Sequence, residues 1–478
     1  MRLSALLLLA SLAVPHAATA DPPNVVVIWA DDLTATALGC YGLPDSHTPN
    51  IDALAARSVV FDRAYCAYPV CGPSRIACMA GMDAESLGMM SNYRGAEKTD
   101  AALSDRPSMS QAFRAAGYRA MRSGKIYHQR IPGDITAGVA GPDHAASWDQ
   151  TYNAHAPEWM TDGEATNIGR TKLRMDRDAH YDLGFGGAFY EVRGSGDGTE
   201  QADWKIAEAA IAMIEANRER PFYLAVGFVR PHVPLVAPAD RFDLYDRETL
   251  MLPSVPADEP EAIADVFRGR TSQGFGFGTE AKKRRARHAY FTAASFMDEQ
   301  VGRVLHAIEA NGLADRTIVV FKSDHGWQLG EHDLWQKMSL LEETARIPLM
   351  IAAPGVEPRR TAALAQQIDL YPTLCDLAGV ETPPHVQGRS LVPVMTGQSD
   401  AVHDAVSTVM KTGRLLRTDR YAYLRSHKTG DAALFDMRSD PGQHTNRVGD
   451  PKMATVEAKL RERLNRLMDD RGLRHRFD

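Results

Sequence analysis

Two acidic pairs and one cysteine motif carry the chemistry of this 478-residue chain. Asp31-Asp32 follows the apolar run NVVVIWA (Asn24 to Ala30), and Asp324-His325 follows TIVVFK (Thr317 to Lys322) and Ser323. Three carboxylates brought together repel one another unless a cation lies between them. An oxygen-rich set with a single imidazole suits Ca²⁺ or Mg²⁺ better than Zn²⁺. Either pair alone reads as a helix cap or a turn about as readily. Both pairs together, at the ends of two apolar strands, favour a metal. The run Cys71-Gly72-Pro73-Ser74-Arg75 is the most specific element. Pro73 suits the start of a helix, which sets Cys71 at the positive end of a helix dipole. That is the setting of an activated thiol; a buried, inert cysteine is the plainer alternative.

The surrounding pattern explains how these residues meet. Asn24 to Ala30, Pro221 to Phe228 and Thr317 to Lys322 are continuous apolar runs, the mark of strands buried on both faces. Between them, Pro49 to Arg57, Ser108 to Ala116 and a long helix bearing Val301, Val304, Leu305 and Ile308 follow a helical period; the long helix ends at Asn311-Gly312. Alternating strands and helices predict an α/β fold with a large, mostly parallel sheet sandwiched by helices. In such sheets ligands bind beyond the carboxyl ends of the strands, so both acidic pairs should emerge on one edge. Ala140 to Gly198 is rich in Gly, Asp and His, has no clear period, and reads as a long functional loop. After about Gln398 the pattern changes to short strands over Leu415 to Leu424 and an amphipathic helix over Lys452 to Met468. These form a smaller C-terminal α+β subdomain, giving a leader at 1–20, a catalytic domain at 21–398 and a subdomain at 399–478.

Composition narrows the function. Apolar residues make up 44% and charged residues 24%, enough for a sizeable core and unlike a disordered or fibrous chain. The formal charge of -7 disfavours a nucleic-acid partner. Met1-Arg2, the apolar stretch Leu3 to Val14 and Ala18-Thr19-Ala20 form a cleavable leader. Export to the periplasm or medium follows, with cleavage near Ala20. No later run is long enough for a membrane anchor. Five cysteines are too few and too odd for a disulfide framework. Cys78 lies about 10 Å beyond Cys71 along a helix, too far for a bridge; pairing of Cys40 with Cys66 or Cys78 stays open.

Cys-x-Pro-Ser-Arg resembles the modification signature of the type I, formylglycine-dependent sulfatases. It is also similar to that of phosphonate and phosphodiester hydrolases of the same superfamily. The likeness continues through Asp31-Asp32-Leu33, Leu38-Gly39-Cys40-Tyr41-Gly42, Pro49-Asn50-Ile51-Asp52, Gly124-Lys125-Ile126-Tyr127-His128, Arg230-Pro231-His232-Val233-Pro234, and Ser323-Asp324-His325-Gly326-Trp327 to Lys337. These resemble the iduronate-2-sulfatase branch, where His stands at the position of His325 and many other sulfatases carry Asn. The resemblance implies an alkaline-phosphatase-like fold and hydrolysis of a sulfate ester on a sulfated saccharide, a 2-O-sulfated uronate such as iduronate 2-sulfate. It weakens in Ala140 to Gly198 and after Gln398, where Leu434-Phe435-Asp436 and Asp440-Pro441 match loosely.

By the same resemblance, a formylglycine-generating enzyme oxidises Cys71, and the hydrated aldehyde attacks sulfur to form a sulfate ester on the enzyme. Asp31, Asp32, Asp324, His325 and residue 71 hold the metal, with Ca²⁺ expected and Mg²⁺ the alternative. His128 is the base that releases sulfate, and His232 gives a proton to the leaving oxygen with help from Lys337. Lys125 and Lys337 bind sulfate oxygens, and Arg75 holds the diol. Asn92, Tyr93, Arg94 and Trp327 line the pocket. Plainer readings stand beside these. An isolated His128 or His232 is more often structural. Lys337 has surface partners in Glu342 or Glu343, and His332 reads as structural. Lys282 to Arg287 reads as the solvated start of the long helix rather than a polymer-binding patch. Phosphonate or phosphodiester hydrolysis, and a noncatalytic glycan-binding relative, are the competing functions.

Overall fold

The computed structural model describes residues 22–43, 45–173, 187–256 and 263–473. The expected leader at 1–20 lies outside them. Asn24–Ala30 alternates between two cores: Val25, Val27 and Trp29 face one, and Val26, Ile28 and Ala30 face the other. A strand apolar on both faces belongs in the middle of a covered sheet, and there it lies, between Thr317–Ser323 and Phe222–Gly227. The nine-stranded sheet continues from Phe222–Gly227 to Arg119–Gly124 and Gln150–Tyr152. On the other side come Leu349–Ala352, Val59–Tyr65 and the short Arg346–Ile347, with Arg359–Gln366 also paired to Val59–Tyr65. Leu349–Ala352 and Arg346–Ile347 run antiparallel to their neighbours.

The register decides where the chemistry sits. Ala30 is level with Ser323, Trp29 with Gly227, and Gly227 with Gly124. Four parallel strands thus end on one edge, as the sequence predicted for the acidic pairs. Two glycines make this close ending possible. Gly124 has φ +79°, and a Cβ on it would collide with the Gly227 carbonyl; a Cβ on Gly227 would collide with the Lys125 carbonyl. Only glycine allows main chains this close, and the Lys125 N–H donates to the Gly227 carbonyl at 2.8 Å.

The predicted helices appear as Pro49–Ala56, Met109–Ala115 and the 31-residue Glu280–Ala310. Ser108 and Gln111 close a reciprocal capping box, which fixes the start of the second. Thr279 caps the long helix by accepting from the Lys282 N–H. The basic run starts this helix as expected, and its charges are used locally: Lys283 pairs with Asp333, Arg284 with Glu280, and Arg285 with Glu191. The expected loop from 140 to 198 is instead partly sheet. Gly163–Asn167 pairs with Tyr190–Gly194, which pairs with Leu235–Pro238. Gly163–Asn167 is polar and largely exposed, and Tyr190–Gly194 is only five residues long, which is why periodicity missed them.

Four antiparallel strands follow residue 404: Ala405–Val409, Gly413–Thr418, Tyr421–Ser426 and Ala432–Asp436. The periodicity had indicated only the middle pair. Leu415, Leu424 and Phe435 face the main core, while Leu416, Tyr423 and Leu434 face Leu460, Leu464 and Met468 of the helix Ala454–Asp470. All five cysteines are free thiols, so neither open pairing of Cys40 occurs. Among the described residues no helix is long and apolar enough to cross a membrane. Truncating Leu464 to Ala should cost about 2–5 kcal/mol, read as a lower denaturant midpoint for the signal of the C-terminal sheet.

Candidate active site

Asp31 and Asp32 leave the end of the first strand, and Asp324 and His325 leave its neighbour; all four are fully buried. Asp31 accepts from Lys125 Nζ at 2.5 Å and from Arg75 Nη2 at 3.0 Å. Burial pushes its carboxyl above the usual range, against the pull of Lys125. Asp324 Oδ2 accepts from Arg75 Nε at 2.9 Å, and its Oδ1 accepts from the Asp32 and His325 N–H groups at 3.1 and 3.0 Å. Asp32 has φ +65°, a left-handed bend that aspartate tolerates better than most residues. Its Oδ1 accepts from Lys337 Nζ at 2.6 Å and lies 3.2 Å from His325 Nε2. Burial raises the Asp32 carboxyl, but the Lys337 ammonium and the hydrogen bond from His325 outweigh it and hold the group ionised.

Cys71 opens the helix Cys71–Ala80, as the motif predicted. Its Sγ lies 3.0 Å from Lys337 Nζ, 3.4 Å from His325 Nε2 and 3.6 Å from Asp32 Oδ1. Val70 offers no side-chain cap to this helix. Asn92 serves from a distance instead, its Oδ1 accepting from the Gly72 N–H at 2.9 Å. Ser74 Oγ donates to Gln367 Oε1 at 2.6 Å and ties the next turn to the neighbouring element.

A hard cation fits this donor set. Asp32, Cys71, Asp324 and His325 place one ligand atom each within 4.8 Å of one another, and Asp31, Cys71 and His232 form an overlapping group. Asp32 Oδ2 is buried without a hydrogen-bond donor. His325 Nδ1 bonds to the Gly326 carbonyl at 2.8 Å, which turns Nε2 toward the cluster. Burial lowers the His325 imidazole, but Asp324 and Cys71 outweigh it and raise it to about 10. A cation would take over the role of that proton.

The remaining site residues surround Cys71. Lys337 meets Asp32 rather than Glu342 or Glu343: Glu342 is taken by Tyr65 Oη, and Glu343 lies by His332. Its amine stays charged; burial alone would lower it, and Asp32 and Cys71 raise it. Gln336 and Met338 on either side both have φ +72°, so the segment that delivers Lys337 is bent in the left-handed region. His128 packs against the edge of Tyr93, with ring centres 5.7 Å apart. Burial, reinforced by Lys125, Lys337 and Arg75, lowers its imidazole well below the usual range. Burial also lowers His232 against the pull of Asp32. His232 Nδ1 bonds to the Val233 carbonyl at 2.6 Å, and Nε2 lies 3.6 Å from Asp32 Oδ2.

One expectation changes, at Trp327. The Arg75 guanidinium bonds to Asp31, to Asp324 and to the Lys125 carbonyl, and so braces the ligands. Trp327 is fully buried and stacks 6.1 Å from Tyr290, under the Lys337 amine at 5.6 Å; it supports that lysine from the core and offers no surface to a substrate. Of the Asn92 to Arg94 segment, Asn92 caps the cysteine helix, Tyr93 backs His128 and Arg94 is exposed. His332 is buried beside Glu343, consistent with a structural place. Tyr290 has no signature in the sequence. Its hydroxyl donates to the Asp32 carbonyl at 2.7 Å and accepts from the Thr34 N–H at 2.9 Å, which fixes the bend after the first strand.

The family domain described as Sulfatase matches residues 23–380, and that described as N-sulphoglucosamine sulphohydrolase, C-terminal, matches residues 330–470. The chain is 31% identical to the iduronate 2-sulfatase of Homo sapiens over 77% of its own length and 70% of that protein. It is 30% identical to the choline-sulfatase of Rhizobium meliloti over 92% and 85%. The solved phosphonate monoester hydrolase from Silicibacter pomeroyi shares the fold at a TM-score of 0.76, with 24% identity over 94% of this chain and 96% of that one. The chain belongs to the sulfatase family and has its alkaline-phosphatase-like fold. It is a sulfuric ester hydrolase.

Chelation followed by a divalent cation, Ca²⁺ or Mg²⁺, should raise the thermal midpoint of the protein, because an ion that binds only the folded state stabilises it by about 2.7 kcal/mol at a hundred times its Kd. Asp32→Asn should lose this shift, and its lower midpoint without the ion should report the Lys337 charge left without its counter-charge.

Proposed function

We propose that this protein removes sulfate from a 2-O-sulfated uronate, such as iduronate 2-sulfate in a sulfated saccharide, using formylglycine at position 71 and Ca²⁺, with Mg²⁺ as the alternative ion. The observation that carries the reading is the place of Cys71. Its Sγ sits 3.0 Å from the Lys337 ammonium and 3.4 Å from His325, against the buried carboxylates, where an ordinary structural thiol has no role. The uronate assignment rests on the shared motifs and on the likeness to iduronate 2-sulfatase. The choline-sulfatase is similar at nearly the same identity, which makes choline sulfate the control substrate.

Asp31, Asp32, Asp324 and His325 would hold the ion together with residue 71. Bound there, the ion offsets the carboxylate charge and polarises the sulfate oxygens, while the oxidised residue 71 supplies the attacking oxygen. Lys125 and Lys337 oppose the charge that develops on the transferred group. His128, neutral through burial, accepts the proton whose loss releases sulfate. His232 Nε2 delivers a proton to the leaving alcohol; its lowered pKa makes the protonated form scarce but strongly acidic. Arg75 keeps the carboxylates apart and the cysteine helix in place.

Maturation requires a formylglycine-generating enzyme as partner. The leader at 1–20 directs export to the periplasm or medium, and the catalytic domain spans 21–398 with the subdomain at 399–478.

Native protein made with the modifying enzyme should show a loss of about 18 Da on the Cys71 peptide, and Cys71→Ala should be folded but inactive. Side by side, aryl sulfate should turn over faster than aryl phosphonate; the reverse order would replace the sulfatase reading by phosphonate hydrolysis. A panel of defined 2-sulfated disaccharides, with choline sulfate as control, should release sulfate from the uronates. Release from choline sulfate alone would reject the sugar assignment.

A further inference from the structure

The turn that carries His232 is held from outside its own motif. The Val229 and Arg230 N–H groups donate to the two carboxylate oxygens of Asp203, at 2.7 and 3.0 Å, in the first turn of the helix Ala202–Asn217. Arg230 is buried, and its two terminal nitrogens reach in different directions. Nη1 donates to the His232 carbonyl at 2.9 Å, and Nη2 donates to both oxygens of Glu158, at 2.6 and 2.5 Å. Glu158 is itself fully buried and comes from the short turn Glu158–Met160, inside the stretch that reads as a loop in sequence. Its backbone has φ +55°, a conformation that costs a glutamate energy and persists only where the surroundings enforce it.

We propose that Glu158 is a positioning residue for the proton-donating His232. By clamping one nitrogen of Arg230 it aims the other at the His232 carbonyl, and so fixes where Nε2 sits over Asp32. This rests on the role given to His232 above. A buried ion pair contributes little net stability over well-packed apolar side chains. The larger consequence of Glu158–Arg230 is therefore geometric. The imidazole has one hydrogen bond of its own, Nδ1 to the adjacent Val233 carbonyl, so its placement follows the main chain of the turn. A displacement of about 1 Å in a catalytic group can cost a hundredfold in rate.

A purely structural role and a positioning role separate by leaving group. Proton donation matters when the departing oxygen is basic and little when it is a nitrophenolate. The test uses the matured enzyme with nitrophenyl sulfate and unsubstituted phenyl sulfate, in the Glu158→Gln, His232→Ala and combined variants. Glu158→Gln should lower kcat on phenyl sulfate about tenfold, with KM little changed, and change nitrophenyl sulfate turnover by about twofold or less. In the His232→Ala background it should add no further loss, since residues acting as one unit are non-additive. Arg230→Lys keeps the ion pair but has no second nitrogen for the His232 carbonyl. It should give the same leaving-group pattern, and it decides the matter should Glu158→Gln fail to fold. Equal losses on both sulfates, or losses that add to those of His232→Ala, would overturn the proposal while leaving the role of His232 intact. If His232→Ala itself shows no leaving-group dependence, the role of His232 falls first.

Discussion

Three carboxylates without solvent are the constraint on which the structure turns. Asp31, Asp32 and Asp324 are fully buried within one cluster, and a single uncompensated buried charge costs several kcal/mol. Arg75, Lys125 and Lys337 supply the compensation among the side chains: Arg75 bridges Asp31 and Asp324, Lys125 answers Asp31, and Lys337 answers Asp32. The three cations come from three separate parts of the chain. Each must arrive for the carboxylates to be tolerated, so the charge cluster ties together a helix, a strand end and a bent loop.

This gives a physical reason for the spacing in the cysteine motif. Residues 71 and 75 are four apart on a helix and share one face. Arg75, locked between two carboxylates, sets the axial position and rotation of the helix, and Cys71 is thereby presented one turn away beside Lys337 and His325. Pro73 removes one amide that would have no partner in the first turn, and Asn92 satisfies another. The arginine is thus a foundation of the nucleophile's position.

Legibility followed from burial. Asn24–Ala30 and Thr317–Ser323 could be read because both faces are covered, which leaves unbroken apolar runs. Gly163–Asn167 could not, because its side chains are largely exposed and its pairing depends on a distant strand. Ala405–Val409 and Ala432–Asp436 are short, and burial by other elements gives no local period. Motif position located Trp327 but not its direction, and the ring turned into the core. Glu158 and Tyr290 have no local signature at all: one lies in an aperiodic stretch and the other on a long helix among ordinary core residues.

Residue types and local spacing by themselves determined the buried strands, the helix start at Cys71 and the two acidic pairs with His325; the other imidazoles and amines of the site came from the resemblance to the sulfatases. Those properties depend on neighbours a few positions away, and apolar periodicity or motif order reports them. Which strands lie side by side, and in what register, was decided only in three dimensions. Ala30 level with Ser323 brings Asp31 and Asp32 to Asp324 across nearly 300 residues of chain. The same holds for Arg75 turning to the carboxylates and for Glu158 reaching Arg230. Such contacts depend on long-range packing and on the cost of leaving a buried charge alone, and neither leaves a mark in local sequence.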